Sequence, residues 1–282
     1  MRQNVEGVIR TFAMRDGAEL HYRHWETPRP RGAVVAIHGI QSHSGWYEAS
    51  CAHLSSAGYD VSFLDRRGSG LNKASRGDLT DWRVLADDLR EFTRDARRRL
   101  GGVPVHLVAI SWGTKLAVAS LALYPDVADS LTLLGPALVS KADVSFALKL
   151  RTALALVIDP RKRFDIPLAD PRLFTDNPER VEFIRNDPLS LRTCTARFLY
   201  QTSRLDRFVR RYAEELRAPV LMMLAGRDRI VDNDGTRKVF ERFASRPKEV
   251  ILYEQAAHTL EFERDPKPVF EDMVRWLDAR SG

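Results

Sequence analysis

Ser111, Asp228 and His258 occur in this 282-residue chain in the order and setting that nucleophilic catalysis requires. Ser111 follows the apolar run VHLVA at residues 105–109, short enough for a strand buried on both faces. It precedes residues 113–124, where Leu116, Ala117, Ser120 and Leu121 recur at helical spacing. A strand, a one-residue corner and a helix put the serine hydroxyl at the apex of a tight turn with a helix N-terminus beneath it, the geometry of a nucleophile elbow. Such a corner holds a non-glycine residue in an unfavourable backbone conformation, so the residues two before and two after must be small. Here they are Ala109 and Gly113. An ordinary strand-to-helix turn would leave the same local string, and the partners of the serine decide between the two.

A serine hydroxyl is un-ionised at neutral pH and attacks only when a positioned base takes its proton. Of the seven histidines, six precede Ser111 and only His258 follows it. The elbow architecture runs serine, acid, histidine, which selects His258 as the base. The acid is expected at the end of the preceding strand, where Ala225-Gly226-Arg227-Asp228 stands. Asp232 and Asp234 lie further into that loop and are better placed to cap the next helix; Asp232 is the alternative acid. A tetrahedral intermediate also needs two backbone donors. The residue after the serine, Trp112, offers one, and Ile40, directly after His38-Gly39, offers the other. His38 is expected to order its loop by hydrogen bonding rather than to catalyse.

The elements that must position these groups are read as follows. Residues 5–13 and 19–25 form a hairpin around Arg15-Asp16-Gly17-Ala18. Apolar strands at 33–38, 59–64, 105–109, 130–134, 219–225 and 249–253 alternate with helices at 47–57, 82–100, 113–124, 236–243 and 268–279. The loop Asp65-Arg66-Arg67-Gly68-Ser69-Gly70 has too few glycines for a dinucleotide fingerprint and reads as a turn. From 136 to 217 there is no strand signal but several helical periodicities, including Phe146, Leu150, Ala153, Leu154, Val157 and Ile158, which predicts a helical insertion. The fold class is therefore α/β, a mostly parallel sheet covered on both faces. Residues 1–135 and 218–282 form the core and 136–217 the insertion.

Composition bounds the partners. Apolar residues make up 44% and charged residues 29%, and no apolar run approaches the roughly 20 residues that span a bilayer. The N-terminus lacks a signal-peptide h-region, so a cytoplasmic protein is expected. Cys51 and Cys194 lack metal-ligand spacing and are expected to be buried thiols; no metal or other cofactor is called for. The net charge of +6 comes with no nucleic-acid module, so no nucleic acid is expected as a partner. Residues 136–217 hold sixteen Lys and Arg against eleven Asp and Glu, nearly the whole excess. There Arg204, Arg207 and Arg211 share a helix face beside Arg210. That face is either a solvated surface or a peripheral contact for anionic lipid.

With HGIQSHSGWY, DRRGSG, AISWG, GRDRIVD and QAAHTLEFE in order, the chain resembles the α/β-hydrolases along nearly its whole length. It most resembles the monoacylglycerol lipase and lysophospholipase-like group, of serine aminopeptidase S33 type. The resemblance implies that His38, Gly39, Ile40 and residues 43–47 form the oxyanion loop. It matches the acid of a GxxDxxV string to Asp228, flanked by Gly226 and Val231, and the base to His258. It implies a helical cap after the sixth strand, at 136–217, with Asn186-Asp187-Pro188-Leu189 and residues 195–199 as cap segments. Two positions depart from the group: Ala109 replaces glycine at the elbow, and bulky Trp112 follows the serine. The implied substrate is a small-molecule carboxylic ester, such as a monoacylglycerol or lysophospholipid. A thioester, a peptide with a free N-terminus, a perhydrolase activity and a non-catalytic ligand receptor are the alternatives. An aspartate would be needed at the elbow for epoxide or haloalkane chemistry, and Ser111 excludes it.

Overall fold

The computed structural model describes residues 7–141 and 146–281. In chain order the first half runs β1 (Val8–Ala13), β2 (Glu19–Trp25), β3 (Gly32–Ile37), α1 (Glu48–Ser56), β4 (Tyr59–Leu64), α2 (Trp82–Arg99), β5 (Val105–Ile110), α3 (Gly113–Leu123) and β6 (Ser130–Leu134). It continues with α4 (Phe146–Ile158), β7 (Arg163–Asp165), α5 (Pro178–Asn186), β8 (Thr193–Thr195), α6 (Ala196–Tyr212), β9 (Val220–Ala225), α7 (Asn233–Glu241), β10 (Lys248–Tyr253) and α8 (Lys267–Asp278). Eight strands form one sheet in the order β1-β2-β4-β3-β5-β6-β9-β10. The β1–β2 and β2–β4 pairs are antiparallel, and every other neighbouring pair is parallel. This is an α/β-hydrolase fold.

Every residue of β3, β4, β5, β6 and β9 is buried, which is why these strands read as continuous apolar runs. Helix α2 shows how the layers hold. Asp81 caps it by accepting from the Arg83 N–H, and Trp82, Leu85, Leu89, Phe92 and Ala96 form one buried stripe. Each large side chain in such a stripe contributes roughly 1.5–3 kcal/mol. The chain enters the parallel part of the sheet at β3, then places β4 on one side of it and β5 on the other. The loops leaving β3 and β5 therefore diverge at a topological switch point, where α/β sheets open a crevice beyond their strand ends.

Three sequence expectations need correction. The segment 136–217 contains strands as well as helices: β7 and β8 pair antiparallel. Each is three residues long, and in β7 only Phe164 is buried between two exposed neighbours, too short a pattern to show alternation. Helix α7 begins at Asn233 rather than Thr236, because Asp232 accepts from the Asp234 and Gly235 N–H groups and starts the helix ahead of the glycine. The first strand begins at Val8; Val5, Glu6 and the Phe146 side chain lie outside the described residues. The cysteines are, as expected, free and buried. Among the described residues, no helix is long and apolar enough to cross a membrane.

A buried carboxyl ties α1 to the loop that carries His258. Glu261 sits in the short turn Leu260–Phe262 and accepts from the Ser50 N–H, one of the orphan donors in the first turn of α1, at 3.0 Å. Burial pushes this carboxyl up to about 7 against the hydrogen bonds from Ser50. A carboxyl raised in the folded state contributes stability that is fully present below its unfolded value and is lost as pH rises through about 7. The melting temperature of Glu261→Gln relative to the unmodified chain should therefore climb between pH 5 and pH 8. A difference that does not change with pH would show that Glu261 is already ionised in the fold.

Candidate active site

Ser111 lies between β5 and α3 with φ +52°, one of three non-glycine residues among those described that have a positive φ. Its backbone is pinned on both sides. The Ser111 N–H donates to the Leu134 carbonyl at 2.9 Å. The Ser111 carbonyl accepts from the N–H groups of Thr114 and Ala137 and from the Thr114 hydroxyl at 2.6 Å. The corner fits only because its neighbours are small. A Cβ at Gly113 would lie 2.6 Å from the His38 carbonyl oxygen, and one at Gly39 would lie 3.1 Å from the Ser111 Cβ. Ala109 is fully buried in register with Ile37 and Leu133, so the extra methyl group is absorbed in the core.

His258 follows β10 and presents both ring nitrogens. Its Nδ1 is 2.7 Å from Asp228 Oδ2 and its Nε2 is 2.9 Å from Ser111 Oγ. With the carboxylate fixing the proton on Nδ1, Nε2 is the acceptor for the serine hydroxyl. All three side chains are buried. The Phe174 ring meets the imidazole edge to face at 5.9 Å. Gly135, at φ +49°, leaves no room for a Cβ, which would lie 2.8 Å from the His258 carbonyl. Burial alone would raise the Asp228 carboxyl. The facing His258 and the N–H groups of Ile230 and Val231, which Oδ1 accepts at 2.8 and 2.9 Å, hold it below the ordinary carboxylate range instead. Of the two acids weighed for this contact, Asp228 reaches the imidazole and Asp232 caps α7.

The loop after β3 faces this group. Among the described residues, neither the Ile40 nor the Trp112 backbone N–H donates to a protein acceptor. Neither ring nitrogen of His38 is given to Ser111 or His258: its Nδ1 donates to the Gly39 carbonyl at 2.8 Å and its Nε2 accepts from the Arg66 N–H at 3.0 Å. Burial pushes this imidazole well below its usual range, so it stays neutral. Three side-chain contacts in the site were not read from the sequence. Arg66 reaches back to the Gly39 and Ile40 carbonyls. Asp187 accepts at Oδ2 from Trp46 Nε1, Ser190 Oγ and His43 Nε2, at 2.8, 2.7 and 3.0 Å, tying residues 186–190 to the loop after β3. Burial works against ionisation of Asp187, but His43, Trp46 and Ser190 outweigh it and hold the carboxyl far below its usual range. The Trp112 ring stacks on Phe198 of α6 at 5.8 Å. Among the described residues, no cluster of three or more His, Cys, Asp or Glu side chains could hold a metal ion.

The sequence profile of a hydrolase family described as serine aminopeptidase, S33, matches residues 28–265. The chain is 29% identical to the monoacylglycerol lipase of Mycolicibacterium smegmatis over 275 residues, covering 95% of each chain. It is 26% identical to the human monoglyceride lipase, covering 94% of this chain and 89% of the relative. Among solved structures, a soluble variant of the Saccharomyces cerevisiae monoglyceride lipase in complex with a substrate analog superposes with a TM-score of 0.88 at 24% identity. That match covers 100% of this chain and 98% of the other, and it shows the fold.

The two acids are separable without reference to turnover. The short Asp228–His258 contact should give a far-downfield imidazole proton resonance, lost in Asp228→Asn and kept in Asp232→Ala. Asp232→Ala should instead cost about 1 kcal/mol of stability, the usual loss for an N-cap. A downfield resonance that survives Asp228→Asn would break the assignment of this contact.

Proposed function

The chain belongs to the serine aminopeptidase S33 family of α/β-hydrolases, and on that premise we propose that it is a serine-dependent carboxylic ester hydrolase acting through an acyl-enzyme on Ser111. The observation that carries the reading is the continuous Asp228–His258–Ser111 hydrogen-bond relay ending on a serine with φ +52°. In the proposed cycle His258 Nε2 takes the hydroxyl proton as Ser111 Oγ bonds to the ester carbonyl carbon. Asp228 keeps the imidazole in the receiving tautomer and stabilises the imidazolium. The carbonyl oxygen becomes an oxyanion facing the Ile40 and Trp112 N–H groups. Collapse breaks the C–O bond and His258 returns the proton to the leaving alcohol; water then repeats the sequence and frees the acid.

The names of the relatives favour a monoacylglycerol as substrate. Residues 136–217 serve as a cap over a core made of 1–135 and 218–282. Three contacts support this: Phe198 on Trp112, Asp187 on the loop after β3, and the Thr259 N–H donating to the Phe174 carbonyl beside His258. The location we assign is cytoplasmic, which the two buried free thiols favour. Purified protein should release glycerol from a long-chain monoacylglycerol faster than it cleaves the matching thioester or aminoacyl amide. Ser111→Ala should lower that rate by roughly 10⁴-fold or more with the fold intact. Amide cleavage outrunning ester cleavage would replace the lipase reading with a peptidase one.

The cap is also proposed to meet anionic lipid. Leu150, Leu154, Val157 and Ile158 of α4 are exposed, and Arg207, Arg210 and Arg211 are exposed on α6 with Arg204 half-buried beside them. Steering by such charges is screened over roughly 10 Å at 0.1 M salt. kcat/KM for an anionic ester should fall as salt rises while a neutral ester of equal chain length changes little, and Arg204, Arg207 and Arg211 changed together to Gln should remove the contrast. Equal salt responses in the unmodified protein would leave the arginines as a solvated surface only.

A further inference from the structure

We propose that Arg66 is a positioning residue of the oxyanion hole, orienting and polarising the peptide group whose N–H is the Ile40 donor. The proposal rests on the reading of Ser111 as nucleophile. The Gly39 carbonyl and the Ile40 N–H are two ends of one planar trans peptide, so they point in opposite directions and whatever fixes one fixes the other. Arg66 Nη2 donates to the Gly39 carbonyl at 2.8 Å and to the Ile40 carbonyl at 3.0 Å. His38 Nδ1 donates to the same Gly39 oxygen at 2.8 Å. A cation and an imidazole N–H drawing on that oxygen leave the Ile40 N–H a stronger donor and hold it in direction.

The same guanidinium touches the other half of the hole. Its carbon lies 4.7 Å from the centre of the Trp112 ring, and Trp112 carries the second candidate backbone donor. The Arg66 backbone is fixed in turn, since its N–H donates to His38 Nε2. Arg66 is among the largest fully buried side chains, and its Nε and Nη1 have no hydrogen-bond partner among the described residues. Burial pushes its pKa down to about 9, which leaves it charged at neutral pH. A desolvated cation with two unpartnered donors is costly to bury. The buried Asp65 carboxylate next to it in the chain offsets part of its charge, so Arg66 acts on an oxyanion chiefly through the Gly39–Ile40 peptide that it holds and polarises.

The test compares Arg66→Met, Arg66→Gln and Arg66→Lys with the unmodified protein on p-nitrophenyl butyrate. Alongside it, the inhibition constant of a trifluoromethyl ketone is measured, since its adduct with a serine carries an oxyanion in the same place. Arg66→Met should lose about 10- to 100-fold in kcat, less than the roughly 10²- to 10³-fold lost with an oxyanion donor itself. KM should stay within threefold, and the ketone should weaken by the same factor as kcat/KM. Arg66→Lys should recover most of the loss and Arg66→Gln little of it. A folded Arg66→Met with kcat and ketone affinity within threefold of the unmodified protein would overturn the proposal, as would a loss confined to KM. Should Arg66→Met fail to fold, equal rates for the Lys and Gln variants would overturn it. An unmodified protein that neither cleaves the ester nor binds the ketone would bring down the reading of Ser111 itself.

Discussion

The backbone of Ser111 is the constraint on which the site is built. A residue with a side chain held at φ +52° costs free energy unless its surroundings over-determine it. Here they do so through Leu134, Thr114 and Ala137, all of them within or next to elements flanking the corner. The price is spatial: α3 must start so close to the end of β3 that only glycine fits at position 113, and the loop after β3 must pass so close to the serine that glycine stands at 39. The same close approach sets the Gly39–Ile40 peptide beside the Ser111 side chain.

Around that corner the buried charges are settled in different ways. Asp228 stays ionised because His258 and two backbone N–H groups face it, and Asp187 because His43, Trp46 and Ser190 converge on it. Glu261 is pushed up toward neutrality by burial, which outweighs the hydrogen bonds from Ser50 and Ala49. Arg66 stands apart, since among the described residues only one of its three guanidinium nitrogens has hydrogen-bond partners. All four link segments apart in the chain: the loop after β9 to His258, residues 186–190 to the loop after β3, the turn after His258 to α1, and the loop after β4 to the loop after β3. The site is thus held by polar contacts between loops that leave a rigid sheet, with the apolar strands fixing where those loops begin.

The Asp228–His258–Ser111 contacts and the sheet were legible because each rests on local pattern and chain order. Ser111, Asp228 and His258 fall just beyond apolar strands, and chain order singled out His258 from seven histidines. What was not legible depends on partners distant in sequence. Arg66 reads as part of a turn, and nothing in DRRGSG says that its side chain folds back on residues 39 and 40. Nothing in QAAHTLEFE says that the Glu261 carboxyl is buried against α1, and Asp187 reads as part of a cap string. The strands β7 and β8 were missed because three residues cannot show a period. Trp112, bulky where the resembling group differs, is accommodated by Phe198 on one side and the Arg66 guanidinium on the other.

The central claim is that Ser111 is the nucleophile activated by His258. It is tested most directly by treating the protein with a fluorophosphonate and locating the adduct by mass spectrometry of its peptides. The account predicts one adduct per chain, on the peptide containing Ser111, absent in Ser111→Ala and formed far more slowly in His258→Ala. An adduct on another residue, or one that forms as fast in the absence of the imidazole, would contradict it.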